Sequence, residues 1–248
     1  MPKVVVEGHD NLAIVRLTSG VTNAISPALV QDLSTAVKRL EGRFRGVVLA
    51  GGAKFLSIGF DLPTLLKLDR AEMTKFFYEF NQATFTLFAL PLPTACAIAG
   101  HATAGGAILA LTCDYRFAAA GKKVIGFNEV KLGVPVPYLA DLTLRQVVGD
   151  RAATEMLYHG KLMPTVEAQE IGLLDEVLAQ EKAENRALEK IAQLATLPRP
   201  AFEVIKEHRI EAIKIRYEGS FQSKNESFLD CWFSKQTQEL LGEAAKKF

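Results

Sequence analysis

The chain has three cysteines, four histidines and one tryptophan in 248 residues, and each scarcity removes a class of protein. Cys96, Cys113 and Cys231 are unevenly spaced among apolar neighbours. They read as buried, reduced thiols rather than a disulfide framework or a zinc knuckle. His9, His101, His159 and His208 form neither HxxxH nor HExxH spacing, so no metal site is expected. A formal net charge of +1 gives no bulk attraction to nucleic acid, and no nucleic-acid partner is expected. The one dense basic stretch, Lys38 to Arg45, reads as a solvated helix end, where cations favour the C-terminal dipole. No uninterrupted apolar run reaches membrane-spanning length, and the first residues lack the basic-then-apolar design of a signal peptide. A cytoplasmic location with no membrane partner is therefore expected.

What the chain does have is apolar residues at 49% with 23% charged, enough for one globular α/β domain with a helical appendage. Strand-like and helix-like stretches alternate through the first half. Val4 to Val6 and Leu12 to Leu17 suggest a hairpin, and Ser26-Pro27 opens a helix with an apolar stripe from Leu29 to Leu40, stopped by Gly42. Gly46 to Ala50 and Thr94 to Ala99 are short apolar runs of the buried-strand kind. A helix spans about Arg70 to Ala89 with Asp69 and Glu72 as a capping pair, and Tyr115 to Ala120 and Val124 to Phe127 supply strands. Past residue 137 helical patterns dominate: Leu139 to Val148, Arg151 to His159, Val166 to Ile171, Glu181 to Leu194 and Ala201 to about Tyr217, with Leu173 to Val177 as strand. The tail carries Phe221, Phe228, Trp232, Phe233, Leu240 and Leu241, apolar surface that must pack on the body or on another subunit.

The richest segment is Gly100-His101-Ala102-Thr103-Ala104-Gly105-Gly106-Ala107-Ile108, followed by Ile125-Gly126-Phe127-Asn128-Glu129. Two glycines before the apolar run from Ile108 to Leu111 read as the first turn of a helix, whose free N–H groups face an incoming oxyanion. One carboxylate, Glu129, stands nearby as a base. The chemistry this pairing supports is proton abstraction next to a carbonyl, with the enolate held by amide N–H groups.

Phe44-Arg45-Gly46-Val47-Val48-Leu49, Gly59-Phe60-Asp61-Leu62, Ala99 to Gly106, Leu111-Thr112-Cys113-Asp114-Tyr115-Arg116 and Gly126 to Gly133 together resemble the enoyl-CoA hydratase/isomerase (crotonase) superfamily. The resemblance runs in order from Ile14 to Phe248. It implies a spiral of ββα units over residues 1–195 and a helical C-terminal region over 196–248 that builds trimers, often stacked as hexamers. It further implies an acyl-CoA thioester substrate, with coenzyme A as part of the substrate and no separate cofactor. By position, the backbone N–H groups of Phe60 and Gly105 form the oxyanion hole. The Phe60 side chain is expected to do nothing, so that Phe60→Leu is tolerated. Ser57, Ile58, Gly59, Asp61, Leu62, Gly106, Ile108, Pro137 and Tyr138 are expected along the substrate and CoA.

Superfamily members that add water to a conjugated double bond typically use two glutamates. Ile108 holds the place of the first, so the chain is more similar to the single-glutamate, mitochondrial-type 3,2-trans-enoyl-CoA isomerases, with Glu129 as proton shuttle. Asp61 is expected to cap the helix beginning at Leu62, and Asp114 to tie down the strand from Tyr115. Tyr138 or Asp141, facing the acyl pocket, would redirect the chemistry towards a hydrolase, decarboxylase or weak hydratase on a branched or ring acyl-CoA. A non-catalytic member binding acyl-CoA or RNA is the reading from a different class.

Overall fold

A computed structural model describes residues 1–246; Lys247 and Phe248, the end of the expected resemblance and C-terminal region, lie outside the described residues. The hairpin β1 (Val4–His9) and β2 (Leu12–Leu17) opens the larger sheet, and α1 (Pro27–Lys38) follows with Ser26 Oγ accepting from Leu29 N and proline in the first turn. β3 (Gly46–Ala50), β4 (Phe55–Ser57) and the short α2 (Leu62–Leu65) come next, then α3 (Arg70–Phe88), entered through a full capping box of Asp69 and Glu72. β5 (Thr94–Ile98), β6 (His101–Thr103) and α4 (Gly105–Leu111) repeat the unit, as do β7 (Tyr115–Ala119), β8 (Val124–Gly126) and a 3-10 turn over Glu129–Leu132 before α5 (Tyr138–His159). β9 (Leu162–Pro164), α6 (Thr165–Glu170), β10 (Glu176–Leu178), α7 (Ala183–Ala195), α8 (Arg199–Trp232) and α9 (Lys235–Ala245) complete the chain.

Each repeat sends one strand to each of two sheets and then turns into a helix, which is the ββα spiral. β3, β5 and β7 lie in the sheet ordered β1-β2-β3-β5-β7-β10, parallel except for the opening hairpin. β4, β6 and β8 lie in the sheet ordered β4-β6-β8-β9, with β9 antiparallel at its edge. The larger sheet is covered on both faces, which explains its uninterrupted apolar strands. Along β3, Val47 and Leu49 join the main core with α1 and α3, while Val48 and Ala50 face Ala187 and Ile191 of α7.

Several expectations change. The smaller sheet consists largely of three-residue strands, too short to show a period of two in sequence. The strand expected over Leu173 to Val177 begins only at Glu176, because Leu173 and Leu174 are buried in a turn and Asp175 accepts a hydrogen bond from Arg116 N. The helix expected to end near Tyr217 continues to Trp232 as one element of 34 residues, and α9 then folds back onto the body. Phe228, Trp232 and Leu241 join the main core. Gly149, at φ 79° and ψ 159°, breaks α5 between the two expected helices. Cys96 and Cys113 are buried, but Cys231 is partly exposed.

Asp114 anchors more than its neighbouring strand. Its Oδ2 accepts from Thr94 N at 2.8 Å, from Thr94 Oγ1 at 2.9 Å and from Lys206 Nζ at 2.8 Å, while Lys206 also donates to Leu92 O at 2.8 Å. Lys206 is buried at 6% exposure while Asp114 keeps contact with solvent, and their contact ties α8 to the entry of β5. Without the Lys206 ammonium, Asp114 would keep its Thr94 partners and its access to water, so the loss is that of the Lys206 hydrogen bonds. Lys206→Met is therefore expected to lower stability by roughly 1 kcal/mol in urea denaturation; an unchanged midpoint would show that the pair anchors nothing.

Candidate active site

Three strand ends build the site. β4, β6 and β8 are adjacent and parallel, so their C-terminal ends emerge side by side at the ~4.8 Å spacing of neighbouring strands. Phe60 follows β4, Gly105 follows β6 as the first residue of α4, and Glu129 follows β8 as the first residue of the 3-10 turn. A ligand above that edge meets all three segments, as in other α/β folds.

Phe60 and Gly105 each present an amide. In the isolated parallel bridge between Ile25 and Phe60, Ile25 N donates to Gly59 O at 2.8 Å and Asp61 N donates to Ile25 O at 3.0 Å. That pattern uses the groups flanking Phe60 and directs its own N–H away from Ile25. Gly105 N–H lies in the first turn of α4, where no carbonyl four residues back is available. Its direction is set by Ala104, held at φ 49° and ψ −120° by donating to Gly126 O at 2.9 Å. Such a backbone costs roughly 1–3 kcal/mol and persists because its surroundings hold it. The two amides are brought close by backbone contact. A Cβ added to Gly105 would lie 3.2 Å from Gly59 Cα and 2.7 Å from Ile25 Cδ1, and Gly59 itself sits at φ +106°. Side chains at either position would push the loops apart.

Glu129 is 6% exposed, and its Oε2 has no hydrogen-bond partner. Burial raises its pKa from 4.5 to about 7; backbone hydrogen bonds from Glu129 and Asn128 offset part of that rise. At neutral pH both the base and the acid forms are populated. The surrounding cavity has a volume of about 380 Å³. Ile108, Leu132 and Val134 line it from the body, and Phe228, Trp232, Leu241 and Ala244 roof it from α8 and α9.

The expected residues divide by placement. Ile58, Phe60, Leu62, Gly105, Ile108, Glu129 and Pro137 line the cavity; Ser57, Gly59, Asp61, Gly106 and Tyr138 do not. Ser57 is a brace: its Oγ donates to Asn23 O at 2.7 Å and accepts from Gly59 N at 3.1 Å. Asp61 caps α2 by accepting from Thr64 N and Thr64 Oγ1. Gly106 lets α4 approach β4, since a Cβ there would fall 2.2 Å from Ser57 O. Tyr138 and Asp141 lie beyond Pro137 in a separate groove, with Asp141 paired to Arg145 at 2.9 Å. They therefore face no common space with Glu129, and the chemistry that depended on them loses its geometry.

Phe60 also does more than its backbone role implied. Its ring packs edge-on against Phe76, Phe77, Phe80, Phe228 and Trp232, with centroids 5.0–6.5 Å away. Such a cluster locks the loop that carries the amide. Residues not anticipated in the site include Thr103, Asn128, His101 and the roof from α8 and α9. Thr103 Oγ1 donates to Ile58 O at 3.0 Å, tying β6 to the loop before Phe60. His101 Nδ1 accepts from Val124 N at 3.2 Å, and burial together with Lys123 and Lys54 pushes its pKa down, so the ring is neutral with its proton on Nε2. The sequence signal for the roof is the apolar tail, in which Phe228 and Trp232 form an i, i+4 pair and Leu241 follows on the next helix.

A ββα spiral enclosing a cavity with one buried carboxylate beside two loop amides defines a class of protein. The sequence profile of the Enoyl-CoA hydratase/isomerase family, the crotonase superfamily, matches residues 7–243, and the chain belongs to that family. Human mitochondrial Enoyl-CoA delta isomerase 1 is 32% identical over 199 residues, 79% of this chain and 66% of that protein. The chain thus spans just under two thirds of that relative's length. A protein described as a putative enoyl-CoA hydratase from Thermus thermophilus is 34% identical over 181 residues, 70% of this chain and 71% of that one. The crystal structure of human mitochondrial delta3-delta2-enoyl-CoA isomerase matches with a TM-score of 0.94 at 28% identity, covering 99% of this chain and 97% of that one.

The buried carboxylate has a stability signature. The folded state keeps the Glu129 proton up to about pH 7, while the unfolded chain releases it near 4.5, so between these values the folded state binds more protons. Stability then falls as pH rises through that window, by roughly 3 kcal/mol in full. Glu129→Gln carries no charge to desolvate. Its stability advantage over the wild type is expected to grow by roughly 2 kcal/mol between about pH 5 and about pH 8. Urea titrations at both pH values measure it, and a constant offset would mean that Glu129 is not buried as a charge.

Proposed function

We propose that the protein is an enoyl-CoA isomerase that moves the double bond of a 3-enoyl-CoA to the 2 position, with Glu129 as its proton shuttle. The observation that carries this reading is the lone acid. Among the described residues lining the cavity, Glu129 is the one carboxylate, and Ile108 supplies an apolar surface where a water-adding enzyme of the two-acid design needs a second.

The thioester oxygen binds between the N–H groups of Phe60 and Gly105, which places C2 beside the Glu129 carboxylate. The carboxylate takes a proton from C2, and the electron pair spreads as a dienolate over C2, C4 and the thioester oxygen. Each amide donor in such a hole is worth on the order of 3 kcal/mol in the transition state. The new carboxylic acid then delivers the same proton to C4, the 2,3 double bond forms, and Glu129 returns to its starting state. A pKa of about 7 suits a group that must act as base and then as acid at neutral pH. The apolar roof from Phe228, Trp232 and Leu241 excludes water from the dienolate.

The CoA portion leaves through the more open end of the cavity, beside Phe55, His101, Val124 and Leu162, where Lys54 and Lys123 place positive charge for its phosphates. A homotrimer, or a dimer of trimers, belongs to the same proposal: α8 leaves Val204, Ile205 and Ile215 exposed as apolar surface for contact between copies. Hydration is the second reading, favoured by the Thermus thermophilus relative described as a hydratase. It would require Asn128, a side chain with no acid or base form in the working range, to replace the missing acid.

Turnover assays separate the two. The wild type is expected to convert trans-3-hexenoyl-CoA, with kcat/KM rising through an apparent pKa of about 7, and to hydrate crotonyl-CoA poorly if at all. Glu129→Gln should lower kcat by roughly a thousandfold with little change in KM. Hydration of crotonyl-CoA without conversion of 3-hexenoyl-CoA would overturn the assignment.

A further inference from the structure

The cavity has an open end and a closed one. Leu162 at the open end is 39% exposed, whereas Phe228, Trp232 and Leu241 are 2%, 1% and 1% exposed. A thioester held at Phe60 and Gly105 with its CoA leaving past Leu162 therefore points its acyl tail towards the closed end. Behind that end lies a groove of about 790 Å³, bordered by Phe77, Val136, Tyr138, Leu157 and Lys224. Val134, Pro137 and Phe228 line both spaces, so the partition between them is one side chain thick.

The three members of the partition differ in what they can yield. Pro137 is the backbone cap of α5, and Val134 N donates to the Glu129 carbonyl at 3.2 Å, so both are tied to the chain path of the site. Phe228 is held by stacking instead: its ring lies 3.8 Å from that of Phe77 at 10° between planes and 6.0 Å from that of Trp232 at 25°. A ring clamped on these sides cannot swing aside for a longer tail without breaking its contacts.

We propose that Phe228 sets the length of acyl chain the protein accepts, by closing the cavity against the neighbouring groove. This rests on the isomerase reading for the identity of the occupant. The substrate class is accordingly a short or medium straight-chain 3-enoyl thioester. Truncating Phe228 joins the cavity to a groove with an apolar lining from Phe77, Val136 and Leu157, suited to the methylenes of a longer chain.

Calorimetric affinity for saturated hexanoyl-CoA and dodecanoyl-CoA reads the partition without any chemistry, and kcat/KM on the matching 3-enoyl-CoAs reads it in turnover. The wild type should favour the shorter chain. Phe228→Ala should shift the long-to-short ratio towards the longer chain by roughly tenfold or more. Phe228→Leu, which keeps most of the packing, should shift it in the same direction by less and guards against failure of the alanine variant to fold. Equal affinity of the wild type for both chains, or an unchanged ratio in the folded leucine variant, would overturn the proposal. Length-selective binding that shifts in these variants without turnover of any 3-enoyl-CoA would support the partition and overturn the isomerase reading instead.

Discussion

A carboxylate kept out of water with one oxygen unpartnered is the constraint around which this structure is organised. In a fold selected for stability alone, Glu129 Oε2 would have a donor or would reach solvent. Here it has neither, and the cost is expressed as a proton held to about pH 7. That same cost prepares the group to accept a proton from carbon. A well-solvated or ion-paired carboxylate, titrating in the ordinary range, would be a much weaker base.

Holding such a group requires a rigid frame, and the spiral supplies it. Successive ββα units bring the ends of β4, β6 and β8 to one edge, so residues far apart in sequence share one small space. The contact of Gly59 with Gly105 then draws two amides together, and the strain at Ala104 fixes the direction of one of them. Ser57, Thr103 and the aromatic cluster around Phe60 bind these loops to the core. Finally, α8 and α9 return over the opening, so that the C-terminal helices complete the site rather than stand apart from it.

Much of this was legible in sequence where a local rule acts alone. Ser26-Pro27, the Asp69 and Glu72 capping box, Asp61 before α2 and the glycine pair before α4 each state their geometry within a few residues. Ile108 was equally plain, since an apolar side chain cannot do acid–base work. What escaped depended on distant contacts. The stretch from Glu218 to Ser227 holds Gly219 and is rich in serine and charge, yet it stays helical because Tyr217, Phe228 and Trp232 on either side are buried against the body. The placement of Tyr138 turned on the side of Pro137 it occupies, and the role of the Phe60 ring on partners from α3 and α8; neither has a spacing to read.

The central claim is that one shielded carboxylate carries a single proton from C2 to C4, and an isotope experiment tests it most directly. A 3-hexenoyl-CoA deuterated at C2 is converted in ordinary water, and the deuterium at C4 of the 2-enoyl product is read by mass spectrometry. Because Glu129 is 6% exposed, a substantial share of the product should carry the transferred deuterium at C4. Product whose new C4 hydrogen always comes from the solvent, even in a single turnover, would contradict a lone buried shuttle.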